Sequence, residues 1–358
     1  MSKWSYKGMK LINFIAFSAL IFGTMACSSE SMIDGEPSPS SEVTGVTENN
    51  AYLSVNLNTV SPSTKATENV ADGGTNDSIA QKIQSCTVIL YNSSTKAIKS
   101  INDNLTLTGD SVNVLLYTKV ESNLSVMVIA NSTTTFADKS ITTIDDAKSI
   151  VQTAQSAASF DEDNLVKVGS AAVDFPAGFG STYTGADKTN TKEVDVTVSQ
   201  LTACVRLAGF EVTNYTGKAA EVKIESVTLN QINLSEATGF SELNTSYDAS
   251  KSIDLNRVVY DGSNNVALST IPTFFSFQNT NADKLTSMTV KFTVGDQEYT
   301  KTYIIKHLDG TSGIHSGYLY NLLLKMSITN NKIDVNFVTY TYDWNDGGSI
   351  NINMTRGI

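Results

Sequence analysis

The alternation of apolar and polar positions is clearest at residues 51–59. Ala51, Leu53, Val55 and Leu57 alternate with Tyr52, Ser54, Asn56 and Asn58, a period of two that predicts a strand with one buried face. Ile83 to Tyr91 is a near-continuous run of strand-forming residues ending at Asn92-Ser93-Ser94, a hairpin-like turn. Further strands are predicted at Leu105–Leu107, Val112–Tyr117 and Leu124–Ala130. Ile144 to Ala158 carries the helical spacing Ile144, Ala147, Ile150, Val151 and Ala154, with Thr142 or Thr143 as cap and Asp145 and Asp146 in the first turn. Phe179 to Thr191, rich in Gly, Thr, Lys and Asp, reads as a connection between domains. Beyond it, strands are predicted at Val194–Val198, Ala203–Phe210, Val222–Asn230, Ser287–Val294 and Tyr299–Ile305. Tyr318–Ile328, Ile333–Trp344 and Ser349–Met354 complete the pattern. Many short strands punctuated by turn signals predict an all-β protein with one short helix in its first domain, built as antiparallel β-sandwiches.

The first fifty residues have a different pattern. Lys3, Lys7 and Lys10 precede an apolar run from Leu11 to Phe22, too short to span a bilayer but suited to an export signal. Gly23-Thr24-Met25-Ala26-Cys27 follows and resembles a bacterial lipobox, so residues 1–26 are expected to be removed and Cys27 to be lipidated. Residues 27–50 hold Pro, Gly, Ser and acids without apolar periodicity, as expected of a flexible tether. The acids after Cys27 resemble the surface-export signals of Bacteroidetes lipoproteins, which implies the outer membrane's outer face.

Composition narrows the function. The 358 residues carry a formal charge of −11, with 2 His and 3 Cys. An acidic surface is wrong for nucleic acid. So few His and Cys leave little material for a transition-metal or Cys/His catalytic centre. There is no nucleophile elbow, P-loop, zinc-protease helix or CxxC pair. We therefore expect no enzyme activity, no catalytic residues, no cofactor and no metal. His307 and His315 flank the Asp309-Gly310 turn and read as solvated loop residues. Asp161-Glu162-Asp163-Asn164 reads as an acidic turn. Cys86 and Cys204 either pair in an oxidising compartment or fill the core. Ser78 and Ser111 lie in Asp-Ser-apolar triplets, which resemble O-glycosylation sites.

One basic residue, Lys65, stands alone between Cys27 and Lys82, within the polar stretch Ser61-Pro62-Ser63-Thr64-Lys65-Ala66-Thr67. A trypsin-like protease would cut there, before Ala66, and detach the strand carrying Leu53, Val55 and Leu57. A sandwich lacking a strand exposes a groove and unpaired backbone on both sides, a template for another chain. The far end of the chain offers an alternating candidate: Ile350, Ile352 and Met354, separated by Asn351 and Asn353. It is either a donor strand for the next copy or the last strand of its own sheet. Head-to-tail exchange does not close on itself and so builds filaments.

These blocks resemble the fimbrillin family, the type V pilins of Bacteroidales. The resemblance runs through Asn50–Leu57, Lys65-Ala66, Thr87–Asn92 with Ala97–Ser100, Val126–Asn131, Ala203–Leu207, Tyr318–Leu322 and Trp344, with 211–285 matching poorly. It implies two transthyretin-like antiparallel β-sandwich domains in tandem. These would be an N-terminal domain over 66–190, preceded by a removable strand segment 51–65, and a C-terminal domain over 191–358. It also implies a lipoprotein anchored in outer-membrane lipid through Cys27, a processing protease, and assembly with further copies and accessory fimbrial subunits into an adhesive, biofilm-supporting fimbrium. Lys65 stands where the family usually has Arg, so an uncut anchor or accessory subunit is the alternative. A surface lipoprotein binding glycan or host protein through its loops is a third reading.

Overall fold

The computed structural model describes residues 50–59, 82–107, 113–136, 139–177, 179, 191–242, 247–307, 310–330, 332–343 and 351–356. Cys27, Lys65, Ala66, Ser78, Ser111 and Ile350 lie outside these residues, as does Trp344.

The chain is nearly all β, and its strands fall into two groups. In the first, β1 (Asn50–Thr59), β4 (Asn113–Lys119) and β8 (Thr191–Gln200) form one layer. β2 (Ser85–Asn92), β3 (Ile98–Thr106), β5 (Leu124–Ala130) and β7 (Lys167–Val173) form the other. Hydrogen bonding links them in the order β3-β2-β5-β7-β8-β1-β4. Among the described residues the two layers join at the β7–β8 corner, where Lys167 faces Gln200 and Val168 faces Ser199. Between them lies a core of Val88, Leu90, Val126 and Val128 from one layer and Leu53, Val55, Val114, Leu116, Val194 and Val196 from the other. The period-two pattern of β8, with Val194, Val196 and Val198 buried between exposed Glu193, Asp195 and Thr197, places it firmly in this group. The boundary expected at 190/191 falls immediately before β8, and the chain crosses to the second group at Leu201.

The second group pairs β13 (Ala249–Tyr260), β10 (Val222–Ile232), β15 (Ser287–Val294) and β16 (Gln297–Ile304) in one sheet. The facing sheet runs β14 (Thr273–Phe277), β9 (Thr202–Asn214), β17 (Tyr318–Ile328), β18 (Ile333–Asp343) and β19 (Asn351–Arg356). Val205, Leu207, Ile224, Val290, Phe292, Tyr320, Leu322 and Phe337 belong to the core between them. Most pairings are antiparallel, but β1 runs parallel to β8 and β9 parallel to β17. Alternation of side chains does not encode strand direction, which is why the sequence predicts antiparallel sandwiches throughout.

β5 is buried on both faces, and its outer one meets a third apolar cluster. Ile89, Met127 and Ile129 pack there with Phe136, Ile144, Ala147 and Phe277. Here the predicted helix proves short. α1 spans only Ile144–Lys148; its N-terminus is as expected, with the Thr143 hydroxyl accepting from the Asp146 N–H and the Asp146 carboxylate accepting from the Thr143 N–H. The Ser149 hydroxyl then donates to the Asp145 and Asp146 carbonyls. Residues 151–153 leave the helix as β6 (Val151–Thr153), because β11 (Ser235–Ala237) offers them a ladder. β12 (Ser241–Glu242) extends this small sheet. A pairing partner some 80 residues away overrides helical spacing.

The turn expected after β2 forms as an Asx turn, in which the Asn92 side-chain carbonyl accepts from the Ser94 and Thr95 N–H groups and Lys96 adopts φ 63°. Cys86 and Cys204 lie in separate buried clusters and form no disulfide with each other, so they serve as core residues.

Gly169 closes the β7–β8 corner. A Cβ there would stand 2.2 Å from the Thr197 carbonyl oxygen, a backbone atom that cannot swing aside. Gly169→Ala should therefore lower the thermal midpoint by the equivalent of roughly 1–3 kcal/mol. Calorimetry against Gly295→Ala checks this, since Gly295 sits in an open turn with nothing within 4 Å of the added carbon. The Gly169 variant should be the more damaged of the two if crowding dominates the positive φ of Gly295.

Candidate functional site

The site is the cradle that holds β1. The strand lies inside its layer, antiparallel to β4 and parallel to β8. Ala51, Leu53 and Val55 are wholly buried, and Leu57 is 8% exposed. Each large side chain contributes roughly 1.5–3 kcal/mol by leaving water. They rest against Val88, Leu90, Val126 and Val128 of the opposite layer and are flanked by Val114, Leu116, Val194 and Val196. The outward positions are also engaged. The Tyr52 ring meets Tyr117 edge-on, with centroids 5.5 Å apart. The Asn56 Nδ2 donates to Asp195 Oδ1 at 3.1 Å.

β4 depends on this strand. Among the described residues β1 is its one ladder partner, from Asn50 opposite Lys119 to Asn56 opposite Asn113. Without β1, β4 loses its place in the layer, β8 loses one side of its ladder, and an apolar trough opens between them. The sequence identified β1, its apolar face and strands at Val112–Tyr117 and Val194–Val198; it did not show that these two, as β4 and β8, flank β1.

After β1 the described residues resume at Lys82, downstream in sequence of Lys65 and Ala66. A polar clamp holds it there. Asn131 donates through Nδ2 to the Lys82 and Leu165 carbonyls, and its Oδ1 accepts from the Gln84 and Ser85 N–H groups. The Lys167 ammonium, 1% exposed, donates to the same two carbonyls at 2.8 and 3.0 Å. Burial pushes the Lys167 pKa down to about 7, from an ordinary 10.5. The clamp fixes the start of β2 independently of β1.

The other predicted residues are placed as follows. Ile352 and Met354 belong to β19, an edge strand whose backbone pairs with β18 at Tyr340 and Val338. His307 is not the solvated residue expected. It is 9% exposed, its ring lies 4.2 Å from that of His315, and its Nδ1 is 2.8 Å from the Tyr320 hydroxyl. The two aromatic strand residues Tyr318 and Tyr320 draw the loop down onto β17. Asp161 caps a single turn of 3-10 helix at Glu162–Asn164. No group of three or more His, Cys, Asp or Glu suited to a metal ion occurs among the described residues. Nor is any helix among them long and apolar enough to cross a membrane.

Comparison of the whole fold with solved structures adds one finding. A protein of Parabacteroides distasonis ATCC 8503, described as a "putative cell adhesion protein", matches with TM-score 0.58 and 16% identity over 87% of this chain and 98% of that one. The likeness is one of fold. A fimbrilin (fimA) of Porphyromonas gingivalis W83 aligns at TM-score 0.48 and 15% identity, covering 87% of this chain and 97% of that one. The tip fimbrial protein Mfa3 of the same species aligns at TM-score 0.48 and 13% identity, covering 81% and 99%. No protein-family model and no curated protein matches the sequence.

Two expectations follow. Leu53→Ala should cost about 2–5 kcal/mol, and Val55→Asp should prevent folding of the first group altogether, because each empties or charges the centre of the cradle; denaturant titration reads both. For Lys167, the unfolded side chain keeps its proton up to about pH 10 while the folded one loses it near 7. Stability should therefore rise with pH above 7, by up to ~1.4 kcal/mol per unit. Lys167→Met should abolish that rise between pH 7 and about 8, a range below the titration of the unfolded thiols. An identical slope in the two proteins would contradict the assignment.

Proposed function

We propose that the chain is a structural subunit of a cell-surface fimbria. It is exported as a lipoprotein carrying lipid on Cys27 and is cut after Lys65. It then polymerises by accepting the C-terminal strand of another copy into the cradle vacated by β1. The reading treats the molecule as two tandem sandwich domains behind a removable strand. Its partners are further copies and accessory subunits, outer-membrane lipid before the cut, and a trypsin-like protease. Its work is mechanical, supporting adhesion and biofilm formation, with no catalytic step.

The observation that carries this reading is the position of β1. A strand that is buried on one face, paired on both sides and, among the described residues, the one ladder partner of β4 leaves a defined vacancy when it departs. Such a vacancy binds an extended peptide through main-chain hydrogen bonds and alternate side-chain pockets. The likeness in fold to a protein described as a "putative cell adhesion protein" supports the same direction. One feature favours a second reading: Lys65, where the resembling family has Arg, suits an anchoring or accessory subunit that keeps β1.

Intact-mass and N-terminal analysis of the shed protein, with gels run before and after boiling, tests both. The expected result is a terminus at Ala66 and a heat-sensitive ladder, both lost in Lys65→Ala. A lipidated Cys27 terminus in a single monomer band would instead establish the uncut reading. Ile350→Asp with Ile352→Asp should abolish the ladder while leaving the monomer folded; normal filaments from it would exclude the C-terminal donor.

A further inference from the structure

Resting on the donor-strand reading above, we infer the direction and register of the incoming strand. The C-terminal strand of a second copy enters running as β1 does, parallel to β8 and antiparallel to β4. Ile350, Ile352 and Met354 take the places of Leu53, Val55 and Leu57, and Asn353 takes the place of Asn56 opposite Asp195.

The cradle is asymmetric, and so is the donor sequence. At one end β1 presents Ala51, fully enclosed, before its three large residues. In the C-terminal segment the residue two before Ile350 is Gly348, and the residue two after Met354 is Arg356. In the proposed register Gly348 meets the Ala51 position, small for small. Reversing the strand would put Arg356 there, burying an unpaired guanidinium, which costs several kcal/mol. Sliding the strand forward by two puts Arg356 into the Leu57 position, which is 8% exposed and meets the same objection. Sliding it back by two sets Gly348 where Leu53 was and leaves a leucine-sized hole, a loss of about 2–5 kcal/mol. A shift by one turns Asn351 and Asn353 into the core and the isoleucines to solvent.

The outer face agrees with the same register. β8 sets exposed Glu193 and Asp195 opposite Ser54 and Asn56. Asn56 already donates its amide to Asp195 at 3.1 Å. The proposed register delivers Asn351 beside Glu193 and Asn353 beside Asp195. Each neutral amide brings a donor to a carboxylate without adding charge to an acidic chain. Asn353 thus reproduces the contact that departs with Asn56, and Asp195 reads the arrival of a correctly seated strand.

Cysteine trapping tests the register directly. Chains carrying Asp195→Cys together with one of Asn351→Cys, Asn353→Cys or Thr355→Cys are assembled after the Lys65 cut, oxidised mildly, boiled, and run without and with reductant. Cys86 and Cys204 are buried and stay silent. The expected result is a boiling-resistant, reductant-sensitive ladder dominated by the Asn353 pairing. A ladder dominated by Asn351 would mean a reversed or back-slipped strand, and one dominated by Thr355 a forward slip; either overturns the register while leaving strand exchange intact. Polymers that form but trap in none of the three pairings overturn it as well. If the chain without any cysteine substitution also remains monomeric, donor-strand exchange itself fails, and the register falls with it.

Discussion

The first group of strands is organised around a single constraint: one ten-residue strand must fill the middle of a layer whose other members come from elsewhere in the chain. β8 arrives some 140 residues after β1, and β4 is joined to its layer through β1. The layer does not close without that strand, and the valines of the opposite layer would otherwise face water. Hydrophobic burial and ladder hydrogen bonding act on the same ten residues, so neither can be lost alone. Everything proposed about assembly is a consequence of that dependence.

The second group is built differently. Its central strands β9 and β17 are long and pair with each other over Leu319–Ile328, with β14 and β18 on either side. Its core draws on both sheets, and the backbone of β19 pairs with β18 at the end of one of them. The two groups meet through the small sheet of β6, β11 and β12, where Ala154 and Thr238 donate to the Leu234 and Ile150 carbonyls. This is a junction of short backbone pairings backed by the Thr238 hydroxyl on the Ala147 carbonyl.

Local pattern carried much of this. The alternation at 51–57, the hairpin at Asn92 and the Thr143 cap are all decided by residues within a few positions of one another, and each is present as read. What the pattern misses depends on distant partners. Residues 151–153 keep helical spacing yet pair with β11. β13 is not among the predicted strands although Ile253 and Leu255 alternate with Ser252, Asp254 and Asn256; these two are only half-buried, and its buried residues, Val259 and Tyr260, come at its end. The burial of His307 follows from Tyr318 and Tyr320 on a strand that comes later in the chain. The strand at the heart of the candidate site was legible; its neighbours, its parallel relation to β8 and its hold on β4 were not, since direction and adjacency leave no mark on an alternating sequence.

The position of β19 has a mechanical consequence. Among the described residues it is bonded along one side of its own sheet, so it can peel away from β18 one pair at a time, each step small. A strand seated where β1 lies is gripped along both sides, and a pull along its axis loads every backbone bond together in shear. In the proposed exchange, the C-terminal segment would part readily from its home edge and resist tension at its destination. A fibre strung from such joints would fail at its strands only when many bonds gave way at once.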